Sequence, residues 1–209
     1  MPAALVPNEG AYNERGFVTP ITLFSSAEVA KHREYFEQLQ RKASDAGHDP
    51  YSIMNWQKFC GGAYDLAYSP QVLDLAEEVI GPDLVCFRAH YFCKLPEGED
   101  DRVVTWHQDS PYWPISPSKV VTVWLALTDV DEQNGAMSFV PGSHTKGLIP
   151  YANSAPEEKN VLNLTVCDPM NHGDGSDIEL VPASCCIGSR NQALRPHAPP
   201  PAPGTTANP

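Results

Sequence analysis

The hydrophobic period of the chain changes at Gly81-Pro82, and this change limits the folds that the sequence can adopt. Before it, residues 26–46 and 71–80 repeat apolar side chains at helical spacing. Ser25 or Ser26 suits the N-cap of the first helix, and Gly81 ends the second. After it, short runs are rich in aromatic and β-branched residues, which favour strands. Helices followed by antiparallel strands predict an α+β fold with a double-sheet sandwich or jelly roll.

The predicted strands are short and separated by turns. The Asn134-Gly135 pair marks a tight hairpin turn, because residues that tolerate positive φ suit such turns. From residue 183 the chain is rich in proline and alanine. We therefore expect one domain over residues 1–182 and a disordered tail over 183–209, with the last strand of the sandwich missing. The strands are predicted at residues 16–18, 83–95, 103–106, 120–127, 136–140, 160–166 and 177–181.

The charge and cysteine content exclude several classes of partner. The chain has 26 acidic and 14 basic residues and a formal net charge of -12, so it offers no basic footprint for nucleic acid or an anionic membrane. No apolar run approaches the ~20 residues of a membrane-spanning helix, and the N-terminus lacks a signal-peptide pattern. The cysteines have no regular spacing, which indicates unpaired thiols in a reducing compartment, and we expect a cytoplasmic protein.

The motif Trp106-His107-Gln108-Asp109 carries the strongest chemical signal. Alternate residues of a strand point to the same face, so a strand here would place the imidazole of His107 beside the carboxylate of Asp109. One histidine and one carboxylate are two of the three ligands that non-haem Fe(II) oxygenases use. The motif alone is weak evidence, because an isolated His-x-Asp occurs in many proteins and its histidine is more often a hydrogen-bonded core residue.

The residues around this motif form a more specific pattern. From residue 91 to residue 151 the chain closely resembles the phytanoyl-CoA dioxygenase family of Fe(II)/2-oxoglutarate oxygenases, and the resemblance extends over residues 10–182. Residues 12–18 and the helix that ends at Gly81-Pro82 also fit. The matching motifs are Phe92-Cys93-Lys94-Leu95-Pro96, Trp106-His107-Gln108-Asp109-Ser110-Pro111-Tyr112-Trp113, Val123-Trp124-Leu125-Ala126-Leu127-Thr128-Asp129, Glu132-Gln133-Asn134-Gly135 and Phe139-Val140-Pro141-Gly142-Ser143-His144.

This resemblance implies a double-stranded β-helix, or jelly-roll, core behind the N-terminal helices. It also implies an enzyme that uses Fe(II) and 2-oxoglutarate, with ascorbate as a reductant, to hydroxylate a small organic molecule. His107 and Asp109 would be iron ligands. Asp109 favours hydroxylation, because halogenating relatives have a small residue there. The resemblance further implies that Trp113 and His90 contact substrate and that Lys94 contacts the cosubstrate; the alternatives are structural roles for the two rings and a surface position for the lysine.

The second histidine ligand of such a site is not evident in the sequence. Ile187 stands where the resemblance places that histidine, and Arg195 matches a remnant of the arginine that holds the far carboxylate of 2-oxoglutarate. His197 and His172 are alternatives, but the proline-rich tail and the glycine-rich loop give neither a rigid support. His144, in the loop after the hairpin, is expected to be structural. We therefore expect an impaired site and an altered or truncated C-terminus.

Two other functions stay open on the sequence alone. A non-catalytic jelly-roll protein could keep the fold as a binding module, and its binding would not depend on His107. A Zn²⁺-dependent hydrolase could use the same residues, but the sequence offers it neither a third ligand nor an evident general base. Measurement of Fe(II) and 2-oxoglutarate binding separates the oxygenase from the binding module. The sequence specifies neither the substrate nor the oligomeric state.

Overall fold

The structure is a computed structural model, and it describes residues 9–93, 102–113, 115–116, 119–131, 134–173, 175–178, 184–189 and 194–196. Its helices are α1 (Glu9–Arg15), α2 (Ser26–Asp45), α3 (Gly61–Ala67) and α4 (Pro70–Ile80). Its strands are β1 (Phe17–Thr22), β2 (Ser52–Met54), β3 (His90–Phe92), β4 (Val121–Leu125), β5 (Met137–Phe139), β6 (Tyr151–Asn153), β7 (Leu164–Val166), β8 (Ser176–Ile178), β9 (Ser184–Ser189) and β10 (Leu194–Pro196). Short 3-10 helices span Trp56–Lys58, Ser110–Tyr112, Ser143–Lys146, Pro156–Glu158 and Pro169–His172.

The two helices predicted from the sequence are confirmed, and so are the residues that bound them. Ser25 caps α2: the Glu28 N–H donates to Ser25 Oγ at 3.3 Å, and the Ser25 N–H donates to the Glu28 carboxylate at 2.8 Å. This reciprocal capping box satisfies two donors at the start of the helix. α4 ends at Gly81, whose φ of 89° is costly for any residue with a side chain.

Six of the described strands assemble into two three-stranded antiparallel sheets, with the orders β1-β9-β4 and β10-β5-β8, and the other four form the antiparallel pairs β2-β3 and β6-β7. The rings of Phe17 in β1 and Phe139 in β5 stack with centroids 4.6 Å apart, so the two sheets pack face to face. The mixed α+β fold is confirmed. Within the described residues, the two sheets do not close into a complete jelly roll. The core between them contains Phe17, Ala126, Met137, Phe139, Cys186 and Leu194.

The outer face of the β1-β9-β4 sheet is covered by helices. Val29 of α2 and Leu75 of α4 pack against Val18, Ile21 and Cys185 of this sheet. Side chains of a strand alternate between faces, and neighbouring Cys185 and Cys186 accordingly belong to different clusters, one under the helices and one between the sheets. The sheet is therefore buried on both sides, and its inner face looks toward β5 and β10.

The C-terminal region differs most from the sequence-based prediction. Residues 184–189 form β9, the central strand of its sheet, and residues 194–196 form β10, which pairs with β5. The prediction of disorder from residue 183 is wrong for these two segments. Their buried side chains, Cys185, Cys186 and Leu194, fill the core despite the proline-rich and alanine-rich surroundings. The domain boundary and the truncation stay predictions, and residues 197–209 lie outside the described part.

Other predicted strands are shorter than expected. β3 takes up only residues 90–92 of the predicted 83–95, because it pairs with the three-residue β2; residues 83–89 lie outside any strand and 94–95 outside the description. The predicted strand at residues 103–106 makes only isolated bridges, one of Val103 with Asn160 and one of the adjoining His107 with Leu194. The remaining predicted strands appear, with shifted ends, as β1, β4, β5, β7 and β8.

Two smaller observations concern the helices and the cysteines. Across the described ranges, no helix is both long enough and apolar enough to cross a membrane. The structure describes no disulfide among the six cysteines, in line with the predicted thiols. Burial raises the pKa of the Cys185 thiol to about 12 and also raises that of Cys186, so both stay protonated and pack as small apolar side chains.

Candidate metal centre

His107 lies at the edge of the β10-β5-β8 sheet, beside β10. The backbone N–H of His107 donates to the Leu194 carbonyl at 3.0 Å, and the backbone N–H of Leu194 donates to the His107 carbonyl at 2.9 Å. The side chain of His107 is buried, with 7% of the residue exposed. A pair of reciprocal backbone hydrogen bonds therefore fixes the position of this histidine in the sheet.

The orientation of the His107 ring is set by a backbone carbonyl. Nδ1 lies 2.9 Å from the carbonyl oxygen of Thr105, and because a carbonyl only accepts, Nδ1 carries the proton. The lone pair of a neutral ring is then on Nε2, which lies 3.6 Å from Asp109 Oδ1. A backbone carbonyl that fixes the tautomer in this way is the usual partner of a metal-binding histidine.

Asp109 reaches the imidazole by a different route from the predicted one. Its backbone is helical, with φ of -68° and ψ of -25°, and it precedes the 3-10 helix Ser110–Tyr112 instead of continuing a strand. The carboxylate nevertheless turns back to His107, and its Oδ2 accepts a hydrogen bond from the Thr122 hydroxyl of β4 at 3.2 Å. Contacts from both sheets thus orient the pair, one from Leu194 and one from Thr122.

Gln108, which lies between the two candidate ligands, has a structural role that the sequence analysis missed. It is 2% exposed, and its amide donates to the Gly147 carbonyl at 3.0 Å while its Oε1 accepts from the Ile149 N–H at 2.8 Å. The neighbouring Trp106 packs with Val140 and with Ile149, the residue whose N–H Gln108 accepts from. A polar residue flanked by two ligands in a buried stretch needs hydrogen-bond partners of its own, and that requirement is the sequence signal for this role.

A shallow recess opens beside His107. Its lining is mostly apolar. Next to the lining residue Pro111, the Tyr112 hydroxyl accepts a hydrogen bond from the Leu164 N–H at 3.1 Å. This contact holds the 3-10 helix after Asp109 against β7. The recess is lined by His107, Gln108, Pro111, Tyr151, Leu164 and Val166.

The other residues predicted for the site are placed as follows. Trp113 ends the 3-10 helix that Asp109 precedes, and its ring contacts Phe87 with centroids 5.9 Å apart. His90 lies in β3, in a different sheet from the one that His107 borders, and its Nε2 is hydrogen-bonded to Ser52 Oγ. Burial, with a smaller contribution from the Arg88 charge, lowers the pKa of His90 to about 4. Substrate contact by Trp113 and His90 stays a prediction.

Two cosubstrate residues and two alternative ligands were also predicted. Lys94 and His197 lie outside the described residues. Arg195 lies in β10, and its backbone pairs with Ser138 of β5. The side chain of Arg195 is outside the description, so the predicted role of this residue stays a prediction. His172 ends a 3-10 helix, and its carbonyl accepts from the Lys146 ammonium at 3.1 Å.

His144 forms a contact of the structural kind expected for it. Its Nε2 lies 3.1 Å from the Asn13 carbonyl oxygen and donates to it, because the carbonyl can only accept. This bond ties the loop after β5 to α1.

The donors of His107 and Asp109 fit two ligands of a divalent metal ion. A separation of 3.6 Å is shorter than two metal–ligand bonds of about 2.1 Å each, so one ion can contact both atoms. In the part of the chain that the structure describes, no three His, Cys, Asp or Glu side chains group around a common point. The described site therefore supplies two protein ligands of the kind found in non-haem Fe(II) sites.

Comparison with known proteins agrees with this chemistry. The family model described as Phytanoyl-CoA dioxygenase (PhyH) matches residues 12–177. The peroxisomal phytanoyl-CoA dioxygenase of Bos taurus is 26% identical over 182 residues, which are 78% of this chain and 52% of that protein. A probable alpha-ketoglutarate-dependent hypophosphite dioxygenase of Stutzerimonas stutzeri is 25% identical over 158 residues, 68% of this chain and 54% of the relative. The chain thus spans about half the length of these curated relatives.

Solved structures share the fold at lower identity. The epimerase SnoN, in complex with Fe3+, alpha ketoglutarate and nogalamycin RO, matches 95% of this chain and 78% of its own with a TM-score of 0.75 and 22% identity. EctD from S. alaskensis, with 2-oxoglutarate and 5-hydroxyectoine, matches 96% of this chain and 73% of its own with a TM-score of 0.74 and 15% identity. Because the family model covers most of the sequence, including His107 and Asp109, the chain belongs to the phytanoyl-CoA dioxygenase family of Fe(II)/2-oxoglutarate-dependent oxygenases.

Proposed function

We propose that this chain is an Fe(II)/2-oxoglutarate-dependent dioxygenase that hydroxylates a small organic molecule on a jelly-roll scaffold, and that it holds its metal weakly. The observation that carries the proposal is the 3.6 Å separation of His107 Nε2 and Asp109 Oδ1. The Thr105 carbonyl and the Thr122 hydroxyl orient these two side chains. A histidine that only served the core would not need a carboxylate beside its second nitrogen.

Each residue of the site then has a role. His107 and Asp109 would hold Fe(II), Thr105 would keep the His107 proton on Nδ1, and the Thr122 hydroxyl would fix one carboxylate oxygen of Asp109 through its hydrogen bond. Bound Fe(II), with 2-oxoglutarate and O₂ as cosubstrates, would supply the oxidising chemistry that inserts one oxygen atom into a C–H bond, while 2-oxoglutarate is converted to succinate and CO₂. Ascorbate would keep the iron reduced. The recess beside His107 has a mostly apolar lining, and an organic substrate would approach the two proposed ligands from this side.

The names of the relatives support a small-molecule substrate but not one particular compound. One relative is a phytanoyl-CoA dioxygenase and another a probable hypophosphite dioxygenase, which differ greatly in the size and polarity of the molecules in their names. The similar SnoN structure contains nogalamycin RO, an organic molecule. We therefore propose the reaction class and leave the substrate to a screen of organic compounds that measures 2-oxoglutarate consumption.

The proposal is tested by titrating the chain anaerobically with Fe(II) and 2-oxoglutarate in a calorimeter. His107→Ala removes a proposed ligand, and His48→Ala is the matched control, because His48 is exposed and packs edge-on against Trp56. We expect weak Fe(II) binding in the wild type and in His48→Ala, and its loss in His107→Ala. In air, the wild type and His48→Ala should form succinate from 2-oxoglutarate, and His107→Ala should form none.

The second candidate function, a non-catalytic binding module, has one observation in its favour. The described residues contain no group of three metal-ligating side chains. This alternative predicts that any Fe(II) binding is equally weak in the wild type and in His107→Ala, and that neither forms succinate. That result would overturn the dioxygenase proposal.

A further inference from the structure

The residue directly across the sheet from His107 is Leu194. The two residues exchange both backbone hydrogen bonds, at 3.0 and 2.9 Å, and therefore form a hydrogen-bonded pair of an antiparallel ladder. In such a pair the Cα atoms are about 5.5 Å apart and both side chains point to the same face of the sheet. Leu194 thus presents its side chain on the face from which His107 meets Asp109.

The surroundings of Leu194 agree with this placement. Leu194 also pairs with Phe139 of β5, and it is buried, at 9% exposure, in the core between the two sheets. Trp124 of β4 packs against the same core. Thr122, two residues before Trp124 on the same strand face, contacts Asp109. His107, Asp109 and Leu194 therefore border the same space between the sheets.

We propose that Leu194 occupies the place of the third protein ligand beside His107 and Asp109. Among the residues that the structure describes, the site then presents two metal-binding side chains and one apolar side chain, which predicts a weak hold on divalent metal. A histidine at position 194 would complete a face of two histidines and one carboxylate. This inference rests on the proposed function and deepens it, because it identifies the residue that limits metal binding.

The register also separates Leu194 from the position suggested by the sequence. Ile187 lies in the middle of β9, where its backbone partners are Val18 and Val123. Both of these side chains belong to the cluster under the helices, on the outer face of the sheet. Position 187 is therefore not adjacent to His107 along any described ladder, and Ile187→His provides a control with the same new side chain at the other candidate position.

The experiment uses the full chain and Co(II), whose visible absorption reports its coordination without any turnover. Wild type, Leu194→His, Ile187→His and the double variant Leu194→His with His107→Ala are titrated anaerobically. Because even an outer-shell partner of a metal ligand changes affinity about 10- to 100-fold, we expect Leu194→His to bind Co(II) at least about 10-fold more tightly than the wild type. The gain should disappear in the double variant, and Ile187→His should bind like the wild type.

A folded Leu194→His without tighter binding would overturn the inference, and so would a gain in Ile187→His instead. If circular dichroism shows that Leu194→His is unfolded, Leu194→Ala replaces it in the test, because the space left by the leucine side chain can admit free imidazole. Imidazole should then tighten Co(II) binding in Leu194→Ala and not in the wild type; no such effect would refute the inference. Wild-type metal binding that is insensitive to His107→Ala would instead sink the proposed function, so the two failures are distinguishable.

Discussion

Replacement of Gln108 by methionine tests whether the residue between the two proposed ligands anchors this part of the fold. Methionine has a similar volume but no amide, so the substitution removes two hydrogen bonds without opening a large cavity. The Ile149 N–H, whose residue is 2% exposed, would be left without its acceptor. The Gly147 carbonyl, which now accepts from the amide, belongs to an exposed residue and can turn to water.

These contacts set the expected magnitude. An orphaned buried donor costs about 1–3 kcal/mol, and a hydrogen bond that water can replace is worth about 0.5–1.5 kcal/mol. Burial of the apolar methionine side chain offsets part of this cost, so we expect the free energy of unfolding to fall by about 2–3 kcal/mol. For a chain of this length, that loss corresponds to a drop in melting temperature of about 4–12 °C.

Urea unfolding followed by circular dichroism measures the effect, with Gln38→Met as the control. Gln38 lies on the surface of α2, and its amide donates to Glu34 at 3.3 Å, so its replacement should change stability by less than about 0.5 kcal/mol. A loss for Gln108→Met as small as that for Gln38→Met would show that the 147–149 loop does not depend on this side chain. The reasoning from the two hydrogen bonds would then be refuted.

Two further predictions concern Thr122 and His90. Thr122→Val keeps the shape of the side chain but removes the hydrogen bond to Asp109. When it is added to Leu194→His, the affinity for Co(II) should fall about 10-fold. An unchanged affinity in this double variant would exclude an orienting role for Thr122. The pKa of His90 is lowered from its ordinary 6.5 to about 4, so between these values the unfolded chain binds a proton that the folded chain does not, and stability should decrease as pH falls from 6.5 toward 4. His90→Gln should reduce that decrease in urea titrations at pH 7 and pH 5, whereas a decrease of the same size would assign it to other groups.

Local sequence patterns predicted the parts of the fold that depend on neighbouring residues. The N-cap of α2 and the glycine at the end of α4 are set within one helical turn, and both were found as expected. The His107–Asp109 pair was also found, although Asp109 has a helical backbone where a strand was expected. A two-residue motif can bring its side chains together through more than one local geometry, so its chemistry was easier to predict than its conformation.

Strand lengths and the C-terminal strands could not be predicted in the same way. A strand forms only where a partner supplies the ladder, and the partner of β3 is three residues long. β9 has few of the β-branched residues that favour strands, yet it pairs on both sides, with β1 and β4, and buries Cys185 and Cys186. Tertiary pairing therefore outweighs the weak local preference of this segment, and composition alone misassigned it to the tail.

The position of the third ligand depends on sheet order, which no local motif encodes. The resemblance to the family's motif leads to Ile187, but β9 pairs with β1 and β4, whereas His107 borders β10. A shift of one residue in a strand moves its side chains to the opposite face, so a position chosen without the register has no assured direction. The paired backbone bonds between His107 and Leu194 supply that register. They place position 194 beside His107 and Asp109, so Leu194→His should strengthen divalent-metal binding at the proposed site.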